Sequence, residues 1–239
     1  MADHIVKSFH DQLEALTTAV VLMGGLCESQ LAAAIDSVVR RDVALAEQTV
    51  AADARVDLLE QQIEQQVVQL LALRQPLALD LRVTLAAFKI SSDLERIGDL
   101  AKNVAKRALV ISKDAPETHL TQSLARMGRL ALAQVKNVLD AYARRDANAA
   151  KTVWKSDGEI DEIYNSMFRE LLTYMMEDPR KIGPSTHLLF IAKNFERIGD
   201  HATNIAETVH YATTGGRMGE ERPKSDVTSS TNVLAYDKH

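Results

Sequence analysis

The chain has 239 residues, 46% of them hydrophobic, and a formal net charge of -5. That length and apolar share allow one large domain or two of ordinary size. The negative charge excludes a general nucleic-acid binder, which needs a basic surface to displace counterions, and the single cysteine, Cys27, excludes an intrachain disulfide and a Cys-based zinc site.

Turn residues are sparse, with 10 Gly and 5 Pro, and a chain rich in Ala, Leu, Val, Glu, Gln and Arg favours long helices with few loops. The fold class expected is therefore all-α. The opening residues Met1 to Ile5 lack the regions of a signal peptide. No run of about 18 apolar residues stands out, so the expectation is a soluble, cytoplasmic protein with nothing that spans a membrane.

In chain order, a long amphipathic helix is expected over about 5–40. Arg40 and Arg41 close it, where cations favour the negative end of the helix dipole, and Asp42 stands as the N-cap of the next. The second helix is expected to run unbroken from there to about residue 73, stopped by Arg74-Gln75-Pro76. The third covers about 77–111, and Lys113-Asp114-Ala115-Pro116 forms a link. Three more helices follow near 117–145, 146–177 and 185–212, with breaks at Arg145-Asp146 and Asp178-Pro179.

The second set repeats the first. At an offset of 104, Met23-Gly24 aligns with Met127-Gly128, Gln30 with Gln134, Asp53 with Asp157 and Asp57 with Asp161. At 101, Glu95-Arg96-Ile97-Gly98-Asp99 aligns with Glu196-Arg197-Ile198-Gly199-Asp200, and Asn103 with Asn204. Such self-similarity marks a duplication. The architecture expected is two pseudosymmetric antiparallel three-helix bundles, over 1–113 and 114–214, followed by a disordered polar tail at 215–239.

Within the third helix of the first copy, Ile90, Leu94, Ile97, Ala101 and Val104 form a core stripe. Glu95, Asp99 and Asn103 form a second line at i, i+4, i+8, directed towards solvent. Glu196, Asp200 and Asn204 repeat that line, and on the second helices Asp53 and Asp57, with Asp157 and Asp161, add acidic pairs. Acids four apart repel by a few tenths of a kcal/mol, and a hard cation between the helices would reverse the sign. The alternative is a solvated face balanced by Arg96, Lys102 or Arg197. Oxygen ligation of this kind suits Mg, Mn, Ca or Fe. Gly98 and Gly199 sit between the acids of each motif, where glycine costs about 1 kcal/mol relative to Ala. Close approach by a neighbouring helix, or by a ligand, would explain both.

Leu73-Arg74-Gln75-Pro76, Asp80-Leu81-Arg82, Lys89-Ile90 and Asp93-Leu94-Glu95-Arg96-Ile97-Gly98-Asp99 with Asn103 resemble the first signature of the PhoU family. The run from Asn194-Phe195-Glu196 to Ala206-Glu207 resembles its second. The likeness covers about 5–214 and implies two three-helix bundles whose E(D)xxxD motifs, here Glu95 and Asp99, then Glu196 and Asp200, hold divalent or trivalent metal ions (Fe, Mn, Mg or Zn). Asp53, Asp57, Asp157, Asp161, Asn103 and Asn204 would complete the ligand sets.

The resemblance also implies a non-enzymatic negative regulator of phosphate uptake and phosphate-starvation signalling. It would be a homodimeric adaptor linking the ATPase subunit of a phosphate ABC transporter to a sensor histidine kinase, peripheral to the membrane through these partners. Two other readings are a partner of a different phosphate transporter and a carboxylate-bridged di-metal enzyme. The enzyme would draw on Glu207-x-x-His210, which has the right spacing but occurs once. His201 is expected to be solvent-exposed.

Overall fold

The computed structural model describes residues 2–74, 76–112, 118–156 and 158–219, and all regular structure among them is helical. The first repeat comprises α1 (Ala2–Arg40), α2 (Val43–Ala52), α3 (Ala54–Arg74) and α4 (Ala78–Ile111). The second comprises α5 (Thr118–Arg144), α6 (Ala147–Lys155), α7 (Gly158–Glu177) and α8 (Ile182–Thr214), with a 3-10 turn at Pro179–Lys181 before α8. Asp157, Gln75, the link at 113–116 and the tail beyond Gly219 lie outside the described residues.

The helix breaks after α1 and α5 follow one chemistry. Arg41 and Arg145 adopt left-handed φ values of 54° and 53°. The amides of Asp42 and Asp146 then donate back to Ser37 O (3.1 Å) and Ala141 O (2.9 Å), the longer bond of a Schellman cap. Each aspartate next serves as N-cap: Asp42 Oδ1 accepts from Leu45 N at 3.0 Å, and Asp146 Oδ1 from Asn148 N and Ala149 N at 2.9 and 3.0 Å. Asp42→Ala and Asp146→Ala should each lower stability by about 1 kcal/mol, measurable as a shift in urea midpoint at constant slope.

The expected unbroken second helix is instead two, divided at Asp53 in the first repeat and between Lys155 and Gly158 in the second. At Asp53 the backbone tightens, with its carbonyl accepting from Val56 N at 2.8 Å. The side chain turns inward, and the residue is only 4% exposed. Periodicity alone could not reveal this, because α2 and α3 both continue the helical pattern. Gly98 explains how α4 accommodates the break: a Cβ there would stand 3.2 Å from Val56 Cγ1, 3.3 Å from Gln30 Oε1 and 3.5 Å from Asp53 Oδ1. The close approach is a neighbouring helix.

The repeats share one hydrophobic core, which runs continuously from Leu13 to Val209. The stripes read from the sequence supply it: Ile90, Leu94, Ile97, Ala101 and Val104, then Phe195, Ile198, Ala202 and Ile205, are all buried. α1 packs on α5 and α4 on α8. Two glycines pin the first pair. A Cβ at Gly24 would lie 2.6 Å from Leu139 Cδ1, and one at Gly128 would lie 2.6 Å from Ile35 Cγ1. Gly24 and Gly128, like Ile35 and Leu139, are equivalent positions of the repeat, so this is one contact made twice about a pseudo-twofold axis.

Along the second pair, His201 bonds Asp93 and His187 meets Arg107. As the position on α8 falls, the position on α4 rises, so these helices are antiparallel. The N-termini of α4 and α8 therefore lie at opposite ends of the molecule.

The segment Phe9–Arg40 is, against expectation, long and apolar enough by length and composition to cross a membrane. Its apolar residues have another use here, because Leu13, Leu16, Val20, Met23, Cys27 and Leu31 are core side chains. Cys27 Sγ donates to Leu94 O at 3.3 Å, and burial pushes its thiol well up, away from reactivity.

Candidate functional site

In the first repeat the fold brings Asp53, Asp57, Glu95 and Asp99 together where α3 lies against α4. Glu60, one turn beyond Asp57, joins them and was missed in the sequence, although its i, i+3 spacing was visible. The acids do not all face solvent. Asp53 is buried, while Asp57, Glu60, Glu95 and Asp99 are half-buried.

Polar neighbours surround these acids. Gln30 Nε2 donates to Asp53 Oδ1 at 3.0 Å. The Lys102 ammonium, projecting from α4, is ion-paired with Asp53 Oδ2 and donates to Asp99 Oδ1 at 2.5 Å. Arg96 reaches Glu95 at 3.4 Å and Asp99 at 3.7 Å. Burial pushes Lys102 down, but its hydrogen bonds to Asp53 and Asp99 outweigh that and hold it well above the ordinary lysine range. Burial also pushes Asp99 up, yet bonding to Lys102 more than reverses this, leaving its carboxyl below the usual range. Glu95 is raised by burial and by the Asp99 charge, Asp57 by burial and the Asp53 charge, and Glu60 by burial and Glu64.

In the second repeat Glu196 and Asp161 are buried at 5% and 4% exposure, and Asp200 is half-buried. The cation comes from a different place. Lys193 Nζ stands 2.9 Å from Glu196 Oε2 and 4.9 Å from the centre of the Tyr164 ring. Thr203 occupies the position equivalent to Lys102 and bonds Gly199 O at 3.0 Å. Gln134, the counterpart of Gln30, clamps the helix break by donating to Ser156 O at 3.1 Å.

Asn103 and Asn204 are exposed, and Asn204 opens instead on a groove between α4 and α8. His201 is not solvent-exposed as expected: its side chain is 18% exposed and donates through Nδ1 to Asp93 Oδ1 at 2.8 Å, joining the repeats. Glu207, of the Glu-x-x-His run, accepts from Trp154 Nε1 at 2.9 Å. Among the described residues no three His, Cys, Asp or Glu side chains are grouped to hold a metal ion. In the first repeat the space between the Asp53 and Asp99 carboxylates belongs to an ammonium.

The likeness to known proteins follows this architecture. The PhoU domain profile matches residues 20–108 and 124–209, one match per repeat. The phosphate-specific transport system accessory protein PhoU homolog of Caulobacter vibrioides is 54% identical over 229 residues, covering 96% of this chain and 100% of that one. The crystal structure of PhoU from Pseudomonas aeruginosa superposes with a TM-score of 0.84 at 38% identity, covering 87% of this chain and 100% of that one. The phosphate transport system regulatory protein PhoU from Streptococcus pneumoniae gives 0.81 at 28% identity, covering 88% and 99%. These proteins are named as accessory or regulatory, which accords with a binding role and not an enzymatic one. With both repeats matched and the Glu95–Asp99 and Glu196–Asp200 motifs seated on the paired helices α4 and α8, the chain belongs to the PhoU family.

Proposed function

We propose that this protein regulates a phosphate-specific transport system by binding, acting from the cytoplasm as a bridge between the transporter's ATPase subunit and a sensor histidine kinase. The observation that carries this reading is the likeness along 96% of the chain to a protein named as an accessory of that system. The geometry supports a bridge. Leu73, Leu77 and Leu79 are exposed where α3 meets α4, and Met176 and Ile182 where α7 meets α8. Exposed apolar clusters of this kind serve protein contacts. Because α4 and α8 are antiparallel, the two tips point in opposite directions, separated by roughly the 50 Å length of a 34-residue helix.

Asp53, Asp99, Glu95 and Glu196 have ammonium or guanidinium partners, so no part of this proposal runs through a metal ion. Elemental analysis of the purified protein for Fe, Mn, Mg and Zn measures metal content directly. Co-purification from cells grown at high phosphate should recover both partners with the wild type. Leu77→Asp and Met176→Asp should each lose one partner and keep the other. Recovery of neither partner by the wild type, or normal phosphate repression in a deletion strain, would count against the bridge.

A further inference from the structure

On one side of the α4–α8 seam lies a groove of about 750 Å³ lined by Arg82, Lys89, Asp93, Glu207, Tyr211 and Arg217, with Leu85, Ala86 and Met218 supplying apolar floor. That volume suits a small-molecule ligand. Its charge is tilted towards cations. Asp93 is engaged by His201, and Glu207 accepts from the Trp154 indole. Arg82 Nε is buried without a partner, and so is Nδ1 of His210, in an adjoining recess that shares Arg217. A buried donor left unpaired costs the desolvation of that group.

The duplication supplies an independent comparison. The equivalent place on the other side of the pseudo-twofold has Gly183 for Arg82, Phe190 for Lys89 and Val110 for Tyr211. There the Arg107 guanidinium stacks 4.1 Å over the Phe190 ring, so a cation–aromatic pair sits where the first groove has a lysine. The two sides of one ancestral seam have thus diverged, with an arginine stacked on a phenylalanine on one and Arg82 and Lys89 lining a groove on the other.

We propose that this groove binds an organic phosphate of nucleotide size. Arg82, Lys89 and Arg217 take the phosphoryl oxygens through charge-assisted hydrogen bonds, and the exposed Tyr211 ring offers a face for stacking.

The sequence has one tryptophan, Trp154, and its bond to Glu207 makes intrinsic fluorescence a reporter of the groove. The full chain titrated with ADP, with ATP and with inorganic phosphate should respond saturably to the nucleotides and more weakly to the free ion. Lys89→Phe, which places the residue of the other side on an exposed position, and Arg217→Glu should each weaken nucleotide binding by about tenfold or more while circular dichroism is unchanged. Equal responses to inorganic phosphate and ADP would overturn the nucleotide-sized reading in favour of a bare anion site. No response to any of the three, or undiminished binding in both variants, would overturn the site altogether.

Discussion

Replacing Lys102 with alanine is expected to lower the unfolding free energy by about 3 kcal/mol, the low end of the range for removing one partner of a buried ion pair. The reason is the state of Asp53, whose side chain is 6% exposed and whose only cationic partner among the described residues is this ammonium, itself 21% exposed. Without it, Asp53 and Asp99 face each other beside Glu95 and Asp57 with only Arg96 nearby. Lys102→Met combined with Asp53→Asn should recover much of the loss, because the buried charge leaves with its partner.

The pH dependence gives a second readout. Asp99 has a folded pKa below its unfolded value, so its contribution is present above about pH 4 and is lost as pH falls through the lowered value. The difference between wild type and Lys102→Ala should therefore narrow in acid. Glu95 is raised, so its ionisation opposes folding, and Glu95→Gln should stabilise the protein slightly at neutral pH. Urea unfolding at neutral pH and again well below about pH 4 measures all of this.

Gly128→Val is expected to destabilise by about 2–3 kcal/mol through overpacking. The new Cβ would stand 2.6 Å from Ile35 Cγ1 and 3.1 Å from Phe195 Cζ, and both neighbours are buried in the shared core. The better helix propensity of valine offsets only about half a kcal/mol. Ile35→Ala in the same chain should restore part of the stability by making room, whereas the same substitution alone should destabilise by cavity formation. Equal midpoints for Gly128→Val and wild type would mean that the helices α1 and α5 can separate freely at this point.

Much of this architecture was legible because it is periodic. The stripe from Ile90 to Val104 and the caps at Asp42 and Asp146 follow from local rules that act within one or two turns, and the structure places them as those rules require. The break at Asp53 was not legible, since its cause is a tertiary contact with Gln30 and Gly98 on two other helices. The same holds for the acids. Spacing showed that Glu95 and Asp99 share a face, but the depth of that face depends on where α3 lies, and Asp53 and Glu196 proved buried. Lys102 was visible as a neighbour three residues beyond Asp99. Its bond across to Asp53 depends on the packing of two helices, which no helical wheel contains. His201 read as exposed because its partner, Asp93, lies in the other repeat.

The paired glycine contacts also constrain descent. A half-length ancestor would have offered the surface around Gly24 and Ile35 to its own twin, and duplication sealed that surface inside a single gene product. Drift on the outside could then hand the compensating cation from Lys102 in one half to Lys193 in the other half. A change at Gly24 or Gly128 has no such freedom, since each is hemmed in by the opposite half. The two halves can therefore differ away from the seam but must stay matched along it.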